Sequence, residues 1–341
     1  MKSFLRFAFV FILLIGGAVG AQPVDHAKFL EWHKEMIDAM IKKPLPKERC
    51  FTVTYPRKEW AEEPCALPVN LDELFAVAPM VGNSTADDSP AGNPTAEVKS
   101  GRISKSIGSF DCVHLKVEST SEDYSLQLNS QEFATPLCKG AVNPDKCQGW
   151  QQFVYHPDQY GGFIQYWLLS YGHDCPPKET CPSNCPKGWQ PWGSDCYSFS
   201  KTRINGQHES ISELAHLSVG GTVTGGTDIL TVGTARCGKL HVYSQDNILE
   251  LGADWRGVEF GVFGNGGGAE ATLHAGTTIV VRTSVDNKTT DPPDCRTPDR
   301  PFTGETNNLK LVPPCSTYGG QAPAIVFRLS NESDASTACA H

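Results

Sequence analysis

The sequence predicts an all-β protein, a two-sheet antiparallel β-sandwich preceded by a short helical N-terminal segment. Three observations predict it. From Arg102 onward, short runs of mainly apolar residues are separated by Gly, Pro and Asn, the punctuation of strands and turns. A convincing helical periodicity occurs only once, near the N-terminus. Thirteen cysteines point to an oxidising compartment, because a reducing cytosol would not maintain such a disulfide framework.

Taken in order, the opening "MKSFLRFAFVFILLIGGAVGAQP" carries Lys2 and Arg6, an apolar run from Phe7 to Ile15, and then small residues. That layout reads as a signal peptide over 1–21, cleaved near Ala21. No later segment is apolar for long enough to span a bilayer. The expected destination is extracellular or periplasmic, with no membrane partner after signal removal. Next, "HAKFLEWHKEMIDAMIKK" places Phe29, Leu30, Met36, Ile37, Met40 and Ile41 at amphipathic-helix spacing. A Pro- and Ser-rich stretch follows, with "NSTADDSPAGNPTAEV" as an exposed linker. Residues 22–101 are therefore expected to be an N-terminal pro-region or lid, removable or tied down by Cys50 and Cys65.

Residues 102–341 are expected to be the sandwich. Eleven runs read as its strands: "ISKSIGSFDCVHLKVES", "DYSLQLNSQEF", "GWQQFVYH", "GFIQYWLLSYG", "DCYSFSK", "AHLSVGGTV", "TDILTVGTA", "GKLHVYSQD", "DWRGVEFGVFG", "AEATLHAGTTIVVRTSV" and "APAIVFRLS". So many short strands without helices fit a concanavalin-like jelly roll, with a barrel as the other closure. Twelve cysteines can pair, and Cys339, near the C-terminus, is the easiest to spare. Cys175, Cys181, Cys185 and Cys196 are spaced too irregularly for zinc and read as a stapled loop. A net charge of -9 argues against nucleic acid and anionic membrane surfaces. Asn83, Asn287 and Asn331 stand in N-x-S/T sequons.

The motifs exclude several chemistries. There is no G-x-S-x-G elbow and no H-E-x-x-H pair. A cysteine nucleophile does not suit a chain of oxidised cysteines. "GNGGG" reads as a tight turn, since no phosphate-binding helix follows it. Carboxylate and amide chemistry remain. Cys147 to Gly172 packs Gln148, Gln151, Gln152 and Gln165 among Trp150, Tyr155, Tyr166 and Trp167. Amides are costly to bury without partners, so they are expected to line a groove with aromatic walls. The plainer alternative is polar edge-strand residues beside core aromatics.

Strand alternation sorts these residues. Trp150, Gln152 and Val154 share one face, and Gln151, Phe153 and Tyr155 the other. If Trp150 and Val154 are core residues, Gln151 faces the groove, and this assignment is preferred; if they line the groove, Gln152 does. In "DWRGVEFGVFG", Val258, Phe260 and Val262 belong in the core. Glu259 then shares the opposite face with Trp255, Gly257 and Gly261, and the glycines leave room for a ligand backbone.

The order "GWQQF", "FIQYWLLSYG", "DWRGVEFGVFG" resembles the eqolisin-type glutamic peptidases. It is also similar to the plant neprosin-type prolyl endopeptidases, through "GW", "QYGGFIQYW" and "WRGVE". The resemblance covers Ser125 to Val281, and Glu259 stands four residues after Trp255 where the families' spacing is nearer three. It implies a secreted β-sandwich peptidase acting on a peptide or protein substrate at acidic pH, with no metal or organic cofactor and with proline-containing substrates favoured. Glu259 would activate water and protonate the leaving amine. The amide of Gln151 or Gln152 would hold the water and the oxyanion, and Trp150, Tyr166, Trp167 and Trp255 would wall the groove. The competing expectations are a non-catalytic sandwich that binds a glycan on the same aromatics and a structural surface protein.

Overall fold

The computed structural model describes residues 24–68, 93–116, 124–157, 160–173, 184–207, 209–297, 302–332 and 339. The predicted signal peptide, the stretch 69–92 with Asn83, and Cys175 and Cys181 lie outside the described residues.

Two large, wholly antiparallel sheets face each other. The first has nine strands in the order β18 (Lys310–Tyr318), β19 (Ala324–Ser330), β15 (Thr278–Asp286), β4 (Lys105–His114), β10 (Leu217–Thr224), β11 (Thr227–Thr234), β12 (Lys239–Asp246), β1 (Cys50–Thr54) and β2 (Ala61–Glu63). The second has eight, in the order β16 (Asp294–Arg296), β3 (Thr95–Glu97), β13 (Gly257–Phe263), β5 (Ser125–Ser130), β6 (Gln148–His156), β7 (Gly161–Leu169), β9 (Asp195–Phe199) and β8 (Gln190–Trp192). A small parallel pair joins β14 (Glu270–Ala271) to β17 (Thr306–Asn307). The sandwich expected from the alternation is present, and each of the eleven predicted runs contains a strand.

Two aromatic side chains set the spacing of the layers. Phe260 of β13 lies over Gly108 of β4, and Phe153 of β6 lies over Gly221 of β10; a Cβ at either glycine would collide with the ring. Both rings are fully buried, and removing either by substitution with Ala would cost about 3–5 kcal/mol. These contacts point Phe153 and Phe260 inward. Side-chain alternation then points Gln152 and Glu259 outward.

The N-terminal segment packs on the sandwich. The helix α1 (His26–Lys42) is capped by Asp25, whose side chain accepts from Lys28 N. It lays Phe29, Trp32, Met36 and Met40 on the outer face of the nine-stranded sheet, against Phe51, Val53, Leu240 and Val242. Trp32 and His33 join the buried stripe, while Leu30 and Ile41 stay at its margin. Strands β1 and β2 extend that sheet. The end of the expected linker is not exposed, because Asn93, Thr95 and Ala96 are buried and β3 is inserted between β13 and β16.

Five disulfides tie the described residues: Cys50–Cys65, Cys112–Cys339, Cys138–Cys147, Cys185–Cys196 and Cys295–Cys315. They suit an oxidising environment. Cys339 is thus bonded rather than spare, and Cys237, exposed, is the free cysteine among the described residues. The Cys185–Cys196 bridge removes both from any zinc site. No helix among the described residues is long and apolar enough to cross a membrane, and no group of three or more His, Cys, Asp or Glu among them could hold a metal ion.

Candidate functional site

Cross-strand register assembles one polar row on the outer face of the eight-stranded sheet. Thr95 of β3 stands opposite Glu259 of β13, Glu259 opposite Asn129 of β5, Asn129 opposite Gln152 of β6, and Gln152 opposite Gln165 of β7. All five are buried. Asn129 Nδ2 donates to Glu259 Oε2 at 3.2 Å. Gln152 Nε2 donates to Asn129 Oδ1 and to Gln127 Oε1, both at 3.0 Å. Gln127 Nε2 in turn donates to Ser125 Oγ at 3.0 Å. The result is a continuous amide chain ending on a carboxyl.

Glu259 is fully buried. Burial pushes its carboxyl up to about 8, against the pull of the Asn129 amide and the backbone at Phe302 and Asn93, with Glu305 pushing the same way. Its Oε1 has no hydrogen-bond partner among the described residues. An orphaned oxygen on a buried carboxyl is costly. The expected room beside the carboxylate exists in the backbone but is filled by the chain itself: a Cβ at Gly261 would strike the Asn93 amide, and the Phe302 ring lies over Gly257.

The aromatic residues divide between the faces. Trp167 Nε1 donates to Gln152 Oε1 at 3.2 Å, and Trp167 packs between Trp150 at 5.9 Å and Tyr197 at 5.1 Å between ring centroids. Tyr197 continues to Trp192 at 6.5 Å. This ladder shares the face of Glu259 and Gln152. Trp150 Nε1 is buried without a hydrogen-bond partner among the described residues.

Three sequence expectations are corrected. Gln151, the preferred amide, points into the core with Phe153 and Tyr155, because those two rings, not Trp150 and Val154, pack between the sheets. Tyr166 is fully buried on that inner face, where its hydroxyl donates to Asp228 Oδ2 of β11 at 3.1 Å. Trp255 precedes β13 and turns inward to stack on Phe153 at 6.1 Å, so it lines no outer groove. Glu259, Gln152, Trp150 and Trp167 do come together.

Sequence reasoning missed Asn129, which lies between Glu259 and Gln152. Two strand spacings, about 9–10 Å, separate the backbones of those two residues, and Asn129 fills the interval. Its signal was present in "SLQLNS", where Gln127 and Asn129 alternate with Leu126 and Leu128. Chemically, the row offers one proton-accepting or proton-donating group next to an ordered line of amide donors. That combination suits water activation beside a developing oxyanion.

No family model matches the chain, and no curated protein matches it. Among solved structures it has a likeness to SCP-B, a member of the eqolisin family of peptidases held in a complex with the tripeptide Ala-Ile-His. The identity is 11%, covering 69% of this chain and 96% of that one, at a TM-score of 0.21. So loose a superposition carries no argument about this chain.

Proposed function

We propose that the protein is a secreted endopeptidase of glutamic type, working at acidic pH on polypeptides. The observation that carries this reading is the row Glu259–Asn129–Gln152, a buried carboxyl joined to two side-chain amides on one sheet face. Glu259 is the general base toward water and the general acid toward the leaving amine. The second N–H of Asn129 supports the oxyanion, and Gln152 holds Asn129 in place. Trp150 and Trp167 form the aromatic wall against which an extended, proline-containing chain packs.

Covered by Asn93 and Phe302, Glu259 keeps its proton through the acidic and neutral range. Entry of substrate and water in place of those two residues re-solvates the carboxyl, lowers its pKa toward the ordinary glutamate range, and makes both protonation states available in acid.

The test is cleavage of an unfolded proline-rich protein across acidic and neutral pH by the wild type and by Glu259→Gln. Acid-limited cleavage lost in the variant, and insensitive to serine, cysteine and metal inhibitors, supports the reading; cleavage that survives in the variant sinks it. The ladder Trp150–Trp167–Tyr197–Trp192 favours a second reading, stacking on the apolar faces of sugar rings. Under that reading a glycan binds with no hydrolysis, and Glu259→Gln leaves binding unchanged.

A further inference from the structure

The chain carries a net charge of -9, yet one cleft gathers cations. A cleft of ≈ 880 Å³ opens at one end of the sandwich, where the turn between β10 and β11 meets the loop before β4 and the residues after β15. Lys99, Arg102, Arg256 and Lys288 line it, with Asp286 as its single carboxylate. Asp286 shares Lys105 Nζ, 3.6 Å away, with Asp38, which lies nearer at 2.5 Å. Lys99 and Arg256 reach Asp294 and Asp254, at 3.2 and 2.8 Å, and neither carboxylate lines this cleft. Arg102 and Lys288 are exposed, and their side chains form no ion pair among the described residues. Arg102 and Lys288 therefore leave two unneutralised positive charges on the cleft wall, which favour an anionic ligand.

This cleft adjoins the candidate site. A second cleft, of ≈ 680 Å³, shares Arg256 with it and is lined by Thr95, Gly257 and Phe302, around Glu259, together with the carboxylates of Glu97, Glu132 and Asp254 and the guanidinium of Arg296, so acidic substrate residues are accommodated only beyond it, in the basic cleft. Val98, on the near rim of the basic cleft, follows directly from β3, and its N–H donates to Arg256 O at 2.9 Å. From Thr95, opposite Glu259, to Val98 is three residues of extended chain, about 10 Å.

We propose that the basic cleft binds an acidic stretch of the polypeptide substrate, three or four residues from the bond placed at Glu259. The inference rests on the peptidase reading and names its substrate class, polypeptides with clustered Asp or Glu to one side of the cleaved bond. The preference operates above about pH 4, where substrate carboxylates are ionised, and fades in stronger acid.

Its test reads binding separately from cleavage. A fluorescent peptide with an apolar segment followed by four acidic residues is titrated against Glu259→Gln at about pH 5.5 and low ionic strength, beside a peptide with Gln and Asn in those places. The acidic peptide is expected to bind about tenfold more tightly, with the gain erased by salt and by the double variant Arg102→Glu, Lys288→Glu. The double variant should keep the wild-type melting temperature and its cleavage of the neutral peptide. Equal binding of the two peptides, or an acidic gain that survives the charge reversal, overturns the proposal. So does a cleft that takes a uronate oligosaccharide but not the acidic peptide. Tight binding of the acidic peptide with no cleavage by the wild type would instead sink the peptidase reading and leave the cleft standing.

Discussion

The eight-stranded sheet has a buried carboxyl against each face, Asp228 of the facing sheet on the inner side and its own Glu259 on the outer, and the two are buried differently. On the inner face, Asp228 of β11 accepts from the Tyr166 hydroxyl, which accepts from Gln245 Nε2 at 2.5 Å, while Tyr243 donates to Gln245 Oε1 at 2.9 Å. This cluster bridges the two sheets and is sealed by the core. Burial pushes Asp228 up to about 7, against the pull of Gln151 and Tyr166. On the outer face, Glu259 ends a similar amide chain, but its covering groups are a loop residue and the residue ahead of β3. Perturbed carboxyls alone do not single out the chemistry. What separates the two is what covers them: the packed core between the sheets over Asp228, and only Asn93 and Phe302 over Glu259.

The largest expected effect separates the faces by activity. Glu259→Gln should lower kcat by on the order of a thousandfold, while Asp228→Asn, which still accepts from Tyr166, should leave kcat on a neutral peptide unchanged. Equal losses in the two variants would erase the distinction. Next come the adjacent glutamines. Gln152→Ala should cut kcat roughly a hundredfold by freeing Asn129, whereas Gln151→Ala should show its loss in the midpoint of urea unfolding with kcat retained. Tyr166→Phe removes the hydroxyl between Asp228 and Gln245. It should cost about 1–3 kcal/mol in chemical denaturation.

The pH dependence of stability sharpens the comparison further. Folding raises Asp228 from 3.8 to about 7 and Glu259 from 4.5 to about 8, so both hold protons longer in the folded chain. Their contribution is whole below the unfolded values and is lost as pH rises toward 7 and 8, on the order of 1.4 kcal/mol per pH unit and group. Asp228→Asn should flatten the curve between about pH 4 and 7.

His33 on α1 works the other way. It is fully buried against Thr231 and Ser218 hydroxyls, and burial, helped by Lys105, lowers it from 6.5 to about 3. Its contribution is present above 6.5 and is lost as pH falls, so hydrogen exchange at α1 should quicken in acid while the sandwich core tightens. The smallest effect belongs to Cys237→Ser at the exposed free thiol, expected within about 0.5 kcal/mol of wild type by thermal melting.

How much of this was legible follows from particular residues. The eleven alternating runs were readable because one face of each meets the core. β18 was not, since Pro313 and Pro314 interrupt a strand that only an edge with a register shift accommodates. β1 to β3 were hidden in a Pro-rich segment because they borrow their stability from sheets built by residues far along the chain. Glu259 was findable from Val258, Phe260 and Val262, whose inward face leaves it outside. Asn129 went unseen although its pattern was as regular, because an asparagine among leucines has no chemistry until a carboxyl stands beside it.

The sequence by itself determined the sandwich class, the positions of the strands in the eleven alternating runs, the stapling by cysteines and the outward face of Glu259. Alternation can say that Gln151 and Gln152 face opposite ways, but a period of two is symmetric and assigns neither to the inside. Only the tertiary structure decided that. Gly221 on the other sheet leaves room for the Phe153 ring, so that face of β6 turned inward, Gln151 went into the core with it, and Gln152 was left beside Asn129 and Glu259.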